Sequence, residues 1–267
     1  MKKCKIIKIG NRKFSIGSDS DIHTDNRYFK SWYWYLFLKF LQLSKYIENG
    51  DIVLDIGSGP GNLPKMLKFL LKKPKKYVMV DLDKRAIEKA KEFKYNFPVE
   101  FHICNALELP FEDNTFDVII ASDVIEHMDE ESGDKLLEKC SKILKSDGTL
   151  IIVTTNIEKL DPEKDKEWFE EHIKLYRVDE LIEKVENHGF RVIEIYGIYG
   201  REKDIKNALP PRGQETYEKL KKALPQPFLI NIFWRLADPK HAIEFLVVCE
   251  KGKNLRSILK TKGGVEK

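Results

Sequence analysis

Apolar and polar positions change register several times along this chain, and the changes divide it. Residues 3–16 alternate charged and apolar around Gly10-Asn11, which predicts a small hairpin. Residues 17–26 are polar and predict loop. Over 27–47 the large apolar positions (Tyr28, Phe29, Trp32, Tyr33, Leu36, Phe37, Phe40, Leu41) recur at helical spacing and predict an aromatic-rich helix. Lys30 and Lys39 interrupt that helix, and its continuous apolar length is too short to span a bilayer. Short apolar runs then follow at 52–56, 77–83, 99–104, 116–121 and 144–154, with amphipathic stretches between them. Runs of that length bounded by turn residues predict buried strands in an α/β chain. A helix is predicted over 177–188, and the stretch 200–239 reads as a long, Pro-rich insertion.

The first strand ends in the most informative segment, Asp55-Ile56-Gly57-Ser58-Gly59-Pro60-Gly61. Glycines at such a turn reach positive φ and let a ligand approach the main chain with no Cβ in the way. The dinucleotide fingerprint needs glycine at the sixth position, where this chain has Asn62. No Gly-Lys-Ser/Thr follows, and Pro60 removes an N–H that a pyrophosphate would use. An acid at the strand end suits a cation, so Asp55 is expected to hold an ammonium group directly or through water. A ligand with an amine and a ribose but no phosphate fits, and S-adenosylmethionine (SAM) has that composition. The alternative is a βα turn that binds nothing. Asp81 ends the second strand about 20 residues beyond Gly61, where a carboxylate can accept from both ribose hydroxyls, with Leu82 beside it. An Asn105 carbonyl and the Ala106 N–H, next to Leu107, suit the edge of an adenine. The fourth strand releases Ser122-Asp123-Val124-Ile125-Glu126-His127.

The five segments, in this order and spacing, resemble the class I SAM-dependent methyltransferases, especially the branch acting on small molecules and lipids. The resemblance covers roughly residues 45–200 and the strand at 241–250. It implies a Rossmann-like seven-stranded sheet with the last strand antiparallel and helices on both faces, its sixth and seventh strands falling at 191–199 and 241–250, so that the stretch between them exceeds an ordinary connection and marks a functional excursion. It further implies SAM as cofactor, held by Asp55, Gly57, Ser58, Gly59, Gly61, Asp81, Leu82, Asn105, Ala106, Leu107, Ser122 and Asp123. The domain plan is a hairpin and lid-like helix over 1–48, a methyltransferase domain over 49–250 with 200–239 on the substrate side, and a frayed basic tail over 251–267. In this plan the 27–47 helix lies over the SAM pocket.

Methyl transfer from a sulfonium needs positioning and desolvation, and for a hydroxyl acceptor also a base. His127 is the candidate base, with Glu126 orienting it or touching the acceptor. Tyr28, Trp32, Trp168, His172 and Tyr176 are the candidate acceptor contacts. Some relatives bind a divalent cation through Glu-x-x-Glu-His. Here Asp123, Glu126, His127 and His172 form the corresponding set, but its first position is one methylene shorter, and the expectation is no metal. The loop after the fourth strand lacks Asn/Asp-Pro-Pro-Tyr/Phe, which argues against amide- and adenine-N6-methylating relatives. The expected acceptor is a small-molecule, lipid or glycan hydroxyl. A protein or RNA acceptor, or a SAM-binding partner without catalysis, are the alternatives.

Composition changes this picture little. Charged residues are 34% of the chain and nearly balance at net +4, which is not the footprint of a dedicated nucleic-acid binder. Abundant Lys, Glu and Ile with little Gln predicts a thermophilic source. The four cysteines (Cys4, Cys104, Cys140, Cys249) are scattered without a CxxC pair. They suit a reducing, cytoplasmic location, as does the absence of a signal-peptide pattern. Trp and Tyr beside Lys in the 27–47 helix suit peripheral membrane contact or a homodimer face.

Overall fold

The computed structural model describes residues 5–9, 12–16, 26–224, 226–234 and 236–252, with side chains from Tyr35 onward apart from several in the 200–239 stretch. The predicted hairpin is an antiparallel pair, β1 (Lys5–Ile9) and β2 (Arg12–Ile16). The aromatic stripe is helix α1 (Asn26–Leu43). There follow β3 (Ile52–Ile56), α2 (Asn62–Phe69), β4 (Lys76–Asp81), α3 (Lys84–Lys91), β5 (Val99–Ile103) and β6 (Phe116–Ser122). Next come α4 (Glu130–Ile143), β7 (Leu144–Thr155), α5 (Lys166–Glu171), α6 (Val178–Asn187) and β8 (Phe190–Tyr199). The chain then runs through α7 (Glu202–Ala208), α8 (Pro211–Leu220) and α9 (Gln226–Phe233) to β9 (Glu244–Lys251).

One seven-stranded sheet carries the order β5-β4-β3-β6-β7-β9-β8, with β9 antiparallel to both neighbours and the other pairings parallel. This is the Rossmann-like methyltransferase sheet that the resemblance implies. The order reverses between β3 and β6, and ligands of such sheets bind in the crevice at that point, outside the carboxyl ends of the strands. Strand side chains alternate between two layers. Leu54, Ile56, Ile119 and Ile152 pack with Leu136, Cys140, Leu181 and Val185 of α4 and α6. Val53, Val118, Ile120 and Val153 pack with Tyr35, Leu43, Leu63, Met66 and Ile87 of α1, α2 and α3. The second half of α1 is therefore a layer helix of the sheet as well as a cover for its edge.

Two local differences from the sequence reading have physical causes. Gly148 is expected to be a turn before the fifth strand, but β7 already begins at Leu144 and the pairing with β6 shifts register between Phe116 and Val118. A Cβ on Gly148 would lie 3.0 Å from the Asp117 carbonyl, so glycine lets the irregular strand close up. The 200–239 excursion is no open loop. Its three helices enclose a small core of Ile205, Leu209, Tyr217, Leu229, Phe233 and Trp234, and α9 rests on α1. Cys140 and Cys249 are buried, and burial pushes both thiols up to about 12. Among the described residues no helix is long and apolar enough to cross a membrane. Cys4, most of the 17–26 loop and the tail beyond 252 lie outside the described residues, as do the side chains of Tyr28 and Trp32.

Candidate active site

The turn after β3 is built from glycines with φ of +67° at Gly57 and +53° at Gly59, the left-handed region that disfavours a Cβ. A Cβ on Gly57 would lie 2.4 Å from Val124 Cγ2, so that glycine lets the loop after β6 press against this turn. A Cβ on Gly59 would meet nothing within 4 Å. Gly59 therefore borders open space at the switch point. Its N–H donates to Asp81 Oδ2 at 2.7 Å, while Asp81 Oδ1 accepts from the Asp83 N–H at 2.8 Å. Two buried polar atoms of the same turn, Ser58 Oγ and Asn62 Oδ1, have no partner among the described residues. Buried polar atoms rarely go unpaired, so these await one. Leu82 and Ile103, at the ends of β4 and β5, are 71% and 48% exposed. A polar cradle, a carboxylate and two bare aliphatic side chains fit a nucleoside carrying an amino acid. The residues present thus fit SAM.

Of the two routes expected from Asp55 to an ammonium group, direct or through water, its burial disfavours the direct one. It is buried beneath the turn, and its Oδ2 accepts from the Tyr77 hydroxyl at 2.7 Å. Burial pushes its carboxyl up to about 7. Asn105 is constrained in a similar way. Its side-chain carbonyl accepts from the Leu107 N–H at 3.0 Å and its backbone carbonyl from the Glu108 N–H, so either carbonyl would read a base only with the lone pair that the local turn leaves it.

The loop after β6 separates the two candidate catalytic residues. Glu126 turns inward, where Oε2 accepts from Thr154 Oγ1 at 3.0 Å. Burial first, then the neighbouring Asp123 carboxylate, push its carboxyl up to about 8. His127 is exposed, and its ring nitrogen Nδ1 lies 3.1 Å from the Glu171 carbonyl. Glu126 therefore does not orient His127; the end of α5 does. His127 stacks on His172 with ring centroids 4.8 Å apart, and His172 stacks on Trp168 at 5.5 Å. His172 Nδ1 lies 2.6 Å from the Trp168 carbonyl. A carbonyl only accepts, so each Nδ1 donates and each neutral ring keeps its lone pair on Nε2. Burial holds the His172 pKa below its ordinary value, with the neighbouring His127 adding to the effect and the Trp168 carbonyl opposing it.

Tyr176 is corrected outright as an acceptor contact. It is fully buried in the core behind α4 and α6, because it is drawn inward by a bridge between Asn156 and Tyr176 beside β7. The four-residue metal set does not converge, with Glu126 turned onto Thr154 and the two histidines packed ring on ring. Among the described residues no group of three or more His, Cys, Asp or Glu side chains is arranged to hold a metal ion.

Sequence reasoning missed three residues at this edge. Lys39 Nζ lies 2.5 Å from Asp123 Oδ2, 3.0 Å from the Tyr35 hydroxyl and 3.5 Å from Glu244 Oε2, and the Tyr35 hydroxyl donates to Glu244. The signal was present, since Lys39 stands on the apolar stripe of α1 between Leu36 and Leu43, both of them buried.

Residues 54–152 match the family described as methyltransferase domain. An uncharacterised protein of Methanocaldococcus jannaschii is 32% identical over 161 residues, which are 60% of this chain and 64% of that protein. The ubiquinone/menaquinone biosynthesis C-methyltransferase of Escherichia coli is 31% identical over 111 residues, 40% of this chain and 43% of that one. The chain thus spans less than two thirds of the length of these relatives. Among solved structures, a SAM-dependent methyltransferase from Archaeoglobus fulgidus superposes with a TM-score of 0.59 at 18% identity, covering 85% of this chain and 100% of that chain. A complex between the Haloferax volcanii Trm112 methyltransferase activator and a putative methyltransferase gives 0.61 at 18% identity, covering 86% and 95%.

Proposed function

We propose that this chain, which carries a class I SAM-dependent methyltransferase domain, methylates a hydroxyl on a small-molecule, lipid or glycan acceptor, with His127 as the base. The observation that carries this reading is the exposed His127 ring, held by the Glu171 carbonyl so that Nε2 is the basic atom. SAM, when bound, supplies an electrophilic methyl group on a sulfonium. Gly57, Gly59, Asp81, Leu82, Ala106, Leu107, Ser122 and Asp123 are the residues proposed to hold it, with the Ser58 and Asn62 side chains supplying unmet hydrogen bonds. The chain's own part is to orient the acceptor, exclude water and take one proton on His127 Nε2. His172 and Trp168 brace that ring by stacking. Burial disfavours the charged form of His172, and so disfavours a second positive charge next to the imidazole proposed to accept a proton. Ile173, next to His172 in the chain, is 69% exposed, which favours an acceptor with an apolar body.

A protein partner or acceptor is the second reading. Its support is the likeness to a methyltransferase that forms a complex with an activator protein. One experiment addresses both readings. The protein is incubated with methyl-labelled SAM and extract, and the lipid, small-molecule, protein and RNA fractions are then separated. Label in the lipid or small-molecule fraction supports the proposal. Label confined to protein or RNA overturns it.

A further inference from the structure

Lys39 is 1% exposed, yet the methyl-transfer chemistry gives it no role. Burying an ammonium group is costly unless it is paired, and such pairs often add no net stability over apolar residues of similar size. A role in holding geometry explains its presence better than a role in holding the fold. The ammonium meets Asp123 from the loop after β6, Glu244 from the start of β9 and Tyr35 from its own helix. Tyr35 in turn packs against Tyr199 at the end of β8, with ring centroids 5.1 Å apart. Three elements therefore meet at one buried cation, and a fourth, β8, packs behind it through Tyr35.

Asp123 links that cation to the cofactor cradle. It adopts φ +58°, a strained value for a residue with a Cβ, and its side chain stays 45% exposed while one oxygen accepts from Lys39. The next residue, Val124, presses on Gly57. The same short loop continues into Glu126 and His127. A displacement of α1 would thus reach the glycine turn and the candidate base through Asp123.

We propose that Lys39 is a positioning residue, which clamps α1 onto the loop after β6 through Asp123 and onto β9 through Glu244, and so fixes the loop that bears Val124, Glu126 and His127. The proposal rests on reading this cleft as the methyl-transfer site. The groups facing the ammonium are Tyr35 of α1, Asp123 and Glu126 of the loop and Glu244 of β9, with Tyr199 of β8 behind Tyr35. Two carboxyls, Asp123 and Glu244, thus share one cation, with Glu126 a more distant electrostatic neighbour. Without it, either a carboxyl takes up a proton or the loop moves outward.

The test uses the full chain with Lys39→Met, Lys39→Arg and Asp123→Asn, the last at a half-exposed side chain whose change spares the core. Amide hydrogen exchange of residues 35–43 and 122–128, SAM affinity by calorimetry, and kcat and KM on the identified acceptor fraction are measured. Lys39→Met is expected to speed exchange in both segments and to weaken SAM binding at least tenfold, with kcat falling, and Asp123→Asn to speed exchange in both segments. Lys39→Arg is expected to restore most of each, which a residue that merely fills volume would not predict. Unchanged exchange in the loop in both Lys39→Met and Asp123→Asn, or SAM affinity within twofold of wild type in Lys39→Met, overturns the clamp. Failure of the wild-type chain to bind SAM overturns the methyl-transfer reading instead, and the exchange data still decide whether α1 and the loop are coupled.

Discussion

Asp55 makes stability depend on pH in a direction opposite to most surface carboxylates. An unfolded Asp titrates near pH ~3.9. In the folded chain burial pushes Asp55 up to about 7. The native state therefore holds a proton that the unfolded state releases. The stability this contributes is fully present below about pH 4 and is lost as pH rises through about 7. Asn keeps an acceptor for the Tyr77 hydroxyl and removes the titration. Asp55→Asn should lose less stability than wild type between pH 5 and pH 8, by roughly 2–3 kcal/mol in denaturant melts. Equal losses in the two proteins would show that Asp55 ionises in the fold as it does in solution. His127 is a different case, because its ring is exposed and its loss leaves no cavity. His127→Ala should lower kcat by roughly 10²–10⁴-fold, the usual worth of a positioned base, with SAM affinity unchanged by calorimetry. A fall below tenfold would mean that orientation of the acceptor alone suffices.

At the scale of elements, the three helices between β8 and β9 behave as a small satellite with its own core. Trp234 is its centre and is fully buried. Two glycines of the β8 segment make room for it. A Cβ on Gly200 would lie 2.3 Å from the Trp234 ring, and one on Gly197 would lie 2.8 Å from the Trp234 carbonyl. Truncating a buried Trp to Ala costs about 3–5 kcal/mol. That loss should fall on the satellite rather than on the sheet, whose core clusters contain none of these side chains. Trp234→Ala should therefore speed amide exchange in α7–α9 and in the part of α1 against which α9 rests, while β3, β4 and β6 stay protected. Because those helices are proposed to face the acceptor, KM for the acceptor should rise with SAM affinity little altered. Uniform loss of protection across the sheet would show instead that the satellite is part of the main core.

At the scale of the molecule, what was legible in the sequence was local. The strand runs, the hairpin at 3–16, the α1 stripe and the glycine turn each declare themselves within a short stretch of chain, and the sheet followed from the family that their order resembles. What was not legible depends on partners far apart in the chain. Glu126 adjoins His127 but is taken by Thr154, and His127 is held by a carbonyl at Glu171. Tyr176 follows the exposed Ile173 yet is pulled into the core by Asn156. Asp55 has the residue type to meet a cation, but only the fold shows Tyr77 above it. The cofactor cradle mixes both kinds. Its glycines are local, whereas the Gly59 to Asp81 hydrogen bond and the unpartnered Ser58 and Asn62 atoms appear only on folding. This mixture yields a test on the whole chain. A ligand that binds only the native state at 100 times its Kd adds about 2.7 kcal/mol, or roughly 5–10 °C in Tm for a chain of this size. SAM should give that rise. Nicotinamide dinucleotide should give none, because Asn62 stands where its fingerprint needs glycine. Asp81→Ala, which frees the Gly59 N–H and removes the proposed ribose acceptor, should cut the SAM-induced rise by at least half at the same SAM concentration. A dinucleotide rise equal to that with SAM, or a full SAM rise in Asp81→Ala, would place the cofactor elsewhere on the molecule.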